Sequence, residues 1–336
     1  MTGADILRRA SAGKAVRDLQ QRLASAGYAP VDEEAGVFGP ATEVAVRAFQ
    51  EARGIRVDGV CGPETWAAIV ESGFALGDRL LYQRSPNLRG DDVAELQHRL
   101  NALGFDAGRE DGILGHQTAA ALREFQRNTG LSVDGILGPE ALRALSQVGS
   151  LTEGSVAAVR EREELRHPRR LRDHRVYVAV GPEFQTLGDV VGRALSVEGA
   201  QTITDLSGED DSTIAARANQ YRADLFVGLR GGDRSGCRCH YFASGEFRSE
   251  AGFRVANAIQ AELETVLGAS EADGPCGRTF AILRETRMAA VVCEPVGEHD
   301  VDAMGALVAA VADVGAAITR GIRRGIEEQP AEAPPG

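Results

Sequence analysis

The sequence predicts a multidomain chain: two all-α three-helix modules, then one α/β domain with a mostly parallel sheet. Three observations carry this reading. A block of helix-period sequence occurs twice in the first half, a charged stretch broken by proline follows it, and from residue 175 apolar strand-like runs alternate with helical ones. At about 100–200 residues per domain, 336 residues suffice for two or three. The expected divisions are 1–77 and 78–149 for the modules, 150–174 for a charged linker, 175–322 for the α/β domain and 323–336 for a flexible tail.

In the repeat, VRDLQQRLASAG at 16–27 returns as VAELQHRLNALG at 93–104, and TEVAVRAFQ at 42–50 as TAAALREFQ at 118–126. GIRVDGVCGPET at 54–65 returns as GLSVDGILGPEA at 130–141. Val16, Leu19 and Leu23 recur at helical spacing, so the first helix is amphipathic and stops near Gly27. Pro40 and Pro63 open the second and third helices, where a missing N–H costs nothing. Val46, Phe49, Trp66 and Ile69 face the core, as do Leu96, Leu100, Leu122, Phe125, Leu142 and Leu145 in the second copy. Asp58-Gly59 and Asp134-Gly135 supply the turns. Phe49, Gln50, Phe125 and Gln126 read first as core and turn-fastening residues, with ligand contact as the alternative.

The linker VAAVREREELRHPRRLRDH reads as a solvated helix broken at Pro168. Arg169, Arg170, Arg172 and Arg175 cluster closely enough to contact an anion or an acidic partner face. Beyond it, strands are expected at 175–180, 200–206, 223–230, 237–244 and 288–295, with a helix from Phe253 to Leu267 and a single terminal helix over about 300–320.

Composition narrows the partners. A formal net charge of −12 argues against nucleic acid, which calls for a basic surface. No run approaches the ~20 apolar residues of a membrane span, and the N-terminus lacks a signal-peptide apolar core, so a cytoplasmic location is expected. Five cysteines (61, 237, 239, 276 and 293) are too few and odd for a disulfide framework. Cys237, Cys239 and His240 form CRCH, which reads as separate thiols or, with Cys276 or Cys293, as part of a metal site.

The repeated pattern V-x-x-L-Q-x-x-L-x-x-x-G, T-x-x-A-(V/L)-x-x-F-Q, V-D-G-x-x-G resembles the peptidoglycan-binding domain type 1 over about 12–75 and 88–148. That likeness implies three-helix modules and a peptidoglycan or muropeptide fragment as ligand. The segments TITDL, IAARANQYRADLFVGLR and GRTFAILRETRMAAVVCEP resemble the zinc-dependent N-acetylmuramoyl-L-alanine amidases of the amidase-3 type over about 174–322. The third domain is therefore expected to be α/β and amidase-3-like. In that family two His and one Glu hold zinc, and a further Glu acts as base; the metal activates water against the amide.

Here the resemblance fails at each ligand. GPEFQTL follows Val180 where the first His loop should stand, Glu183 does not align with the ligand Glu, and Arg230 replaces the second His. A guanidinium has no lone pair to give a metal. Glu294 alone matches, at the position of the general base, so the expectation is a non-enzyme pseudo-amidase with no metal and no cofactor. Arg230 then either pairs with Glu294 or joins Arg278 and Arg284 in receiving a phosphate or carboxylate. A site rebuilt from His240, His299, Glu183 or the cysteines is the remaining enzymatic alternative.

The whole arrangement, with GDDVAELQHRLNALGF, ADLFVGLR and GRTFAILRETRM, resembles a group of actinobacterial regulators of peptidoglycan precursor synthesis. The resemblance implies a cytoplasmic scaffold that activates UDP-N-acetylglucosamine enolpyruvyl transferase, is linked to the lipid II flippase system and is controlled by a serine/threonine kinase. One departure concerns that control: 321–336 contain no Ser, Thr or Tyr, so tail phosphorylation does not carry over and Thr2 is the remaining candidate.

Overall fold

The structure is a computed structural model, and it describes residues 6–147, 170–244, 247–268 and 274–327. The chain divides into two compact units, Met1–Arg160 and Glu161–Gly336. The charged run over 155–169, Arg169, Thr2 and the tail beyond residue 327 lie outside the described residues.

The first unit holds two three-helix modules. Helices α1 (Lys14–Ser25), α2 (Pro40–Arg53) and α3 (Pro63–Glu71) form one; α4 (Asp91–Ala102), α5 (His116–Asn128) and α6 (Pro139–Gln147) form the other. Val16, Leu19, Leu23, Val46 and Phe49 close the first core, and Val93, Leu96, Leu100, Leu122 and Phe125 the second. Each core has one edge-to-face aromatic pair, Tyr28–Phe49 at 5.6 Å and Phe105–Phe125 at 5.7 Å. Such pairs add about 0.5–1.5 kcal/mol beyond the area they bury. A short ladder supplements the helices: β1 (Leu81–Tyr82) runs antiparallel to β2 (Ile136–Leu137), and the Leu7–Cys61 bridge is its counterpart in the first module.

Between the modules' cores, Arg79 reaches Asp92, a fully buried carboxylate, at 2.7 Å and 2.9 Å, and also donates to the Arg89 carbonyl. Arg53 of α2 pairs with Asp91 of α4, Nη1 donating at 2.9 Å, which ties the two copies together.

In the second unit, parallel pairing joins β3 (Arg175–Val180) to β4 (Gln201–Asp205) and to β5 (Leu225–Leu229), and β5 to β9 (Ala289–Glu294). Antiparallel β6 (Arg238–Ser244) extends the sheet beside β9, with β7 (Phe247–Arg248) and β8 (Cys276–Arg278) against it. The order is therefore β4-β3-β5-β9-β6-β7, a mostly parallel sheet. Alternation sends Val176, Val178 and Val180 towards helices α7 (Gln185–Val197), α9 (Glu250–Leu267) and α12 (Val311–Glu327). On the other face Tyr177 stacks on Phe226 at 6.1 Å, beside α8 (Asp211–Tyr221) and α10 (Ala281–Glu285).

Helices α9 and α12 approach closely because α12 carries glycine at the contact. A Cβ on Gly321 would lie 2.8 Å from Ile259 N, and one on Gly325 would lie 2.7 Å from Val255 Cα.

The expected single terminal helix is corrected: it is two, α11 (Val301–Ala309) and α12, bent by 83°. No proline or glycine stands at Ala310 to announce the break. α12 also runs through Glu327, past the boundary expected at 322, and Glu327 Oε1 accepts from Leu171 N at 3.0 Å. Leu171 is buried in the same core, so the unit begins before residue 175.

Candidate functional site

β5 and β9 are parallel neighbours in register Leu229–Cys293, so their next residues, Arg230 and Glu294, emerge side by side at the carboxyl ends of the strands. That is where open α/β sheets place ligands. Arg230 Nε donates to Glu294 Oε1 at 3.1 Å. His240 Nε2 lies 2.9 Å from Glu294 Oε2, reaching across from β6. Glu294 is 6% exposed and His240 2%. The Arg230 guanidinium lies 4.1 Å over the Phe280 ring, whose edge also meets His240, and Asp211 at the start of α8 is 3.9 Å from Arg230 Nη1.

The loops on either side close over this cluster. Gly232 N donates to the Val296 carbonyl at 2.9 Å, and Glu298 N donates to the Gly232 carbonyl at 2.8 Å. A Cβ on Gly232 would stand 3.0 Å from Glu294 Oε2, and one on Gly231 would stand 3.0 Å from Glu298 Cα. A side chain at either position would press on its neighbour.

The electrostatics follow from these contacts. Burial opposes ionisation of Glu294, but the His240 bond and the charges of His240 and Arg230 outweigh it and hold the carboxyl below its usual range. Each carboxylate oxygen is engaged, Oε1 by Arg230 and Oε2 by His240. His240 Nδ1 is buried without a hydrogen-bond partner. Among the described residues, no group of three or more His, Cys, Asp or Glu side chains could hold a metal ion. The geometry is a charge-compensated plug at the sheet mouth.

The CRCH segment divides for a simple reason. On β6, alternate residues face opposite ways, so Cys237 and Cys239 enter the helix-side core while His240 turns to Glu294. Cys239 Sγ lies 3.8 Å from Cys293 Sγ, and all five cysteines are free thiols. Burial raises the Cys237 thiol to about 11 and Cys61 to about 12, and drives Cys239 well above its ordinary value; such thiols are poor nucleophiles. The pairing of His240 with Glu294 is not written in the CRCH segment itself, whose period of two gives only the face on which His240 stands.

Other expected contact residues stand on other elements. Arg278 ends β8 opposite Phe242, and Arg284 sits in α10; between them in sequence, Phe280 supplies the surface on which Arg230 rests. Glu183, in the 3-10 turn Pro182–Phe184 after β3, and His299, in the turn after β9, are exposed at the same end of the sheet. Arg170, Arg172 and Arg175 occupy the other end, before and at the start of β3, where Arg175 Nε donates to Asp224 at 3.2 Å.

In the modules, Gln50 Nε2 donates to Asp58, to the Val60 carbonyl at 3.0 Å and to Thr65, while its Oε1 accepts from Gly59 N at 2.9 Å. Gln126 repeats this with Asp134, the Ile136 carbonyl and Gly135 N. Gln20 and Gln97, from the L-Q pairs, fasten the preceding turns at Gly36 and Gly112 in the same way. All four amides are buried with their bonds satisfied internally.

Comparison with known proteins agrees with the architecture. The family model described as "Putative peptidoglycan binding domain" matches residues 12–69 and 89–145. Paired modules of that class joined to an α/β unit with a plugged sheet mouth therefore define the protein's type. "N-acetylmuramoyl-L-alanine amidase CwlM" of Mycobacterium tuberculosis is 34% identical over 328 residues, covering 85% of this chain and 80% of that one. The chain belongs to the CwlM family. "N-acetylmuramoyl-L-alanine amidase CwlL" of Bacillus licheniformis is 35% identical over 156 residues, or 40% of this chain and 43% of that protein. Among solved structures, the N-acetylmuramyl-L-alanine amidase of Mycobacterium smegmatis matches at 15% identity and a TM-score of 0.40, over 47% of this chain and 99% of its own.

Proposed function

We propose that this chain is a non-catalytic regulator or scaffold of peptidoglycan precursor synthesis, acting in the cytoplasm through contact with a cell-wall enzyme such as UDP-N-acetylglucosamine enolpyruvyl transferase. The observation that carries the reading is the Arg230–Glu294–His240 cluster. A cation fixed in the chain stands beside the one carboxylate that matches an amidase base, with both carboxylate oxygens already engaged. Membership of the CwlM family points to cell-wall biology, and the plug points away from amide hydrolysis. No single helix among the described residues is long and apolar enough to cross a membrane. The protein purified with zinc should retain less than about 0.1 equivalent and release no stem peptide from a muramoyl-peptide substrate. In a reconstituted assay it should raise transferase turnover. Stoichiometric zinc with amide cleavage would overturn the non-catalytic reading, and unchanged turnover would remove that partner.

A second reading is favoured by the two matched modules: binding of peptidoglycan or muropeptide. Saturable retention of the full chain on purified sacculi supports it, and no retention refutes it.

A further inference from the structure

Helix α11 breaks the rule for a helix at a protein surface, whose outward side should be polar. It is firmly formed: the Asp300 carboxylate accepts from Ala303 N at 3.0 Å, and Leu307 is buried in the core. Yet Val301 is 81% and Val308 62% exposed. Helical spacing puts Gly305 between them, and Ala306, Ala309 and Ala312 are exposed alongside. In the nine residues VDAMGALVA only Asp302 is polar. After the bend, the same chain follows the rule: Arg320, Arg323 and Arg324 of α12 meet Glu262 and Glu198.

Charge specifies what can cover this stripe. From Glu298 to Thr319 the sequence holds Glu298, Asp300, Asp302 and Asp313 but no Lys or Arg. Asp302 is exposed on α11 itself, and Asp313 is exposed in the first turn of α12 past the bend. A second copy would set acid against acid, and an anionic lipid surface would be repelled. A partner helix with an apolar stripe flanked by basic residues is complementary in both respects.

We propose that α11 is a docking surface for a protein helix whose apolar stripe is bordered by Lys or Arg. This rests on the reading that the chain acts through protein contact. The test places a photo-crosslinking amino acid at position 308 of the full chain in its host, with position 197 as control. Val197 is also highly exposed, in a different helix. The expected adduct joins position 308 to a segment with that basic-bordered apolar pattern, in at least about tenfold excess over position 197, and Val301→Glu reduces it about tenfold. With purified full chain, a synthetic Leu/Ala helix bordered by Lys should bind and its Glu-bordered counterpart should not. An adduct with a second copy, with lipid or with an acidic segment overturns the proposal, as does equal or absent labelling at 308. If the full chain still activates a cell-wall enzyme while 308 stays unlabelled, α11 fails and the regulatory reading stands. If both fail, the two fall together.

Discussion

Arg230→Met is the most informative perturbation of the plug, because it keeps an unbranched apolar side chain and removes the guanidinium that pairs with Glu294 and lies over Phe280. Glu294 then remains buried with one oxygen still bonded to His240 and the other losing its 3.1 Å donor. Breaking a fully buried ion pair costs about 3–5 kcal/mol. The Arg230 side chain retains 28% exposure, so water replaces part of what is lost. An expectation of about 2 kcal/mol follows, close to that of one hydrogen bond to a charged group. Urea unfolding followed by far-UV circular dichroism measures it. Trp66, the single tryptophan, lies in the first module, so its fluorescence transition should stay unmoved and serve as an internal control.

The effect must also depend on pH with a definite sign. The folded-state pKa of Glu294 is lowered, so its stabilisation is fully present above the unfolded value near ~4.3 and disappears as pH falls through the lower folded value. Arg230→Met should therefore destabilise at neutral pH and converge on the parent once Glu294 is protonated. Glu294→Gln should flatten the same dependence. A loss below about 0.5 kcal/mol at neutral pH, where surface changes usually fall, or a loss that persists unchanged in acid, would refute the plug as described.

Three further outcomes follow from contacts elsewhere. Arg79→Ala strands the buried Asp92 carboxylate and should destabilise the first unit by about 3–5 kcal/mol, read as an earlier Trp66 or circular dichroism transition; Asp92→Asn in the same chain should recover part of it. Gln126→Ala leaves Gly135 N without its partner and takes one donor from the Ile136 carbonyl, which Gly138 N still reaches at 3.1 Å, and should cost about 1–3 kcal/mol, whereas Gln126→Glu, facing Asp134, should cost more; urea titration of the two variants decides. Gly321→Ala gains about 1 kcal/mol of helix propensity but forces a Cβ onto the Ile259 backbone, so the melting temperature of the second unit should fall, as differential scanning calorimetry would record.

The sequence was most legible where local rules and packing agree. Prolines at helix starts, Asp-Gly turns and the spacing of Val16, Leu19 and Leu23 are local signals, and the repeat carries all of them twice except Pro40, whose place His116 takes. The strands were readable because a sheet covered on both faces requires continuous apolar runs such as LFVGL. The meeting of Arg230, Glu294 and His240 was less legible. It depends on which strands are neighbours and in what register, a property of the whole sheet rather than of any segment. The bend at Ala310 escaped because no proline or glycine stands there to mark it.

The bond between Leu171 and Glu327 fastens the threshold of the α/β unit to its last turn. The segment leading into β3 is thus held against the C-terminal helix as well as by the sheet. Within the described residues, the start of this unit and the end of its last helix therefore meet at one corner. Cutting the chain at 322 would unlatch it.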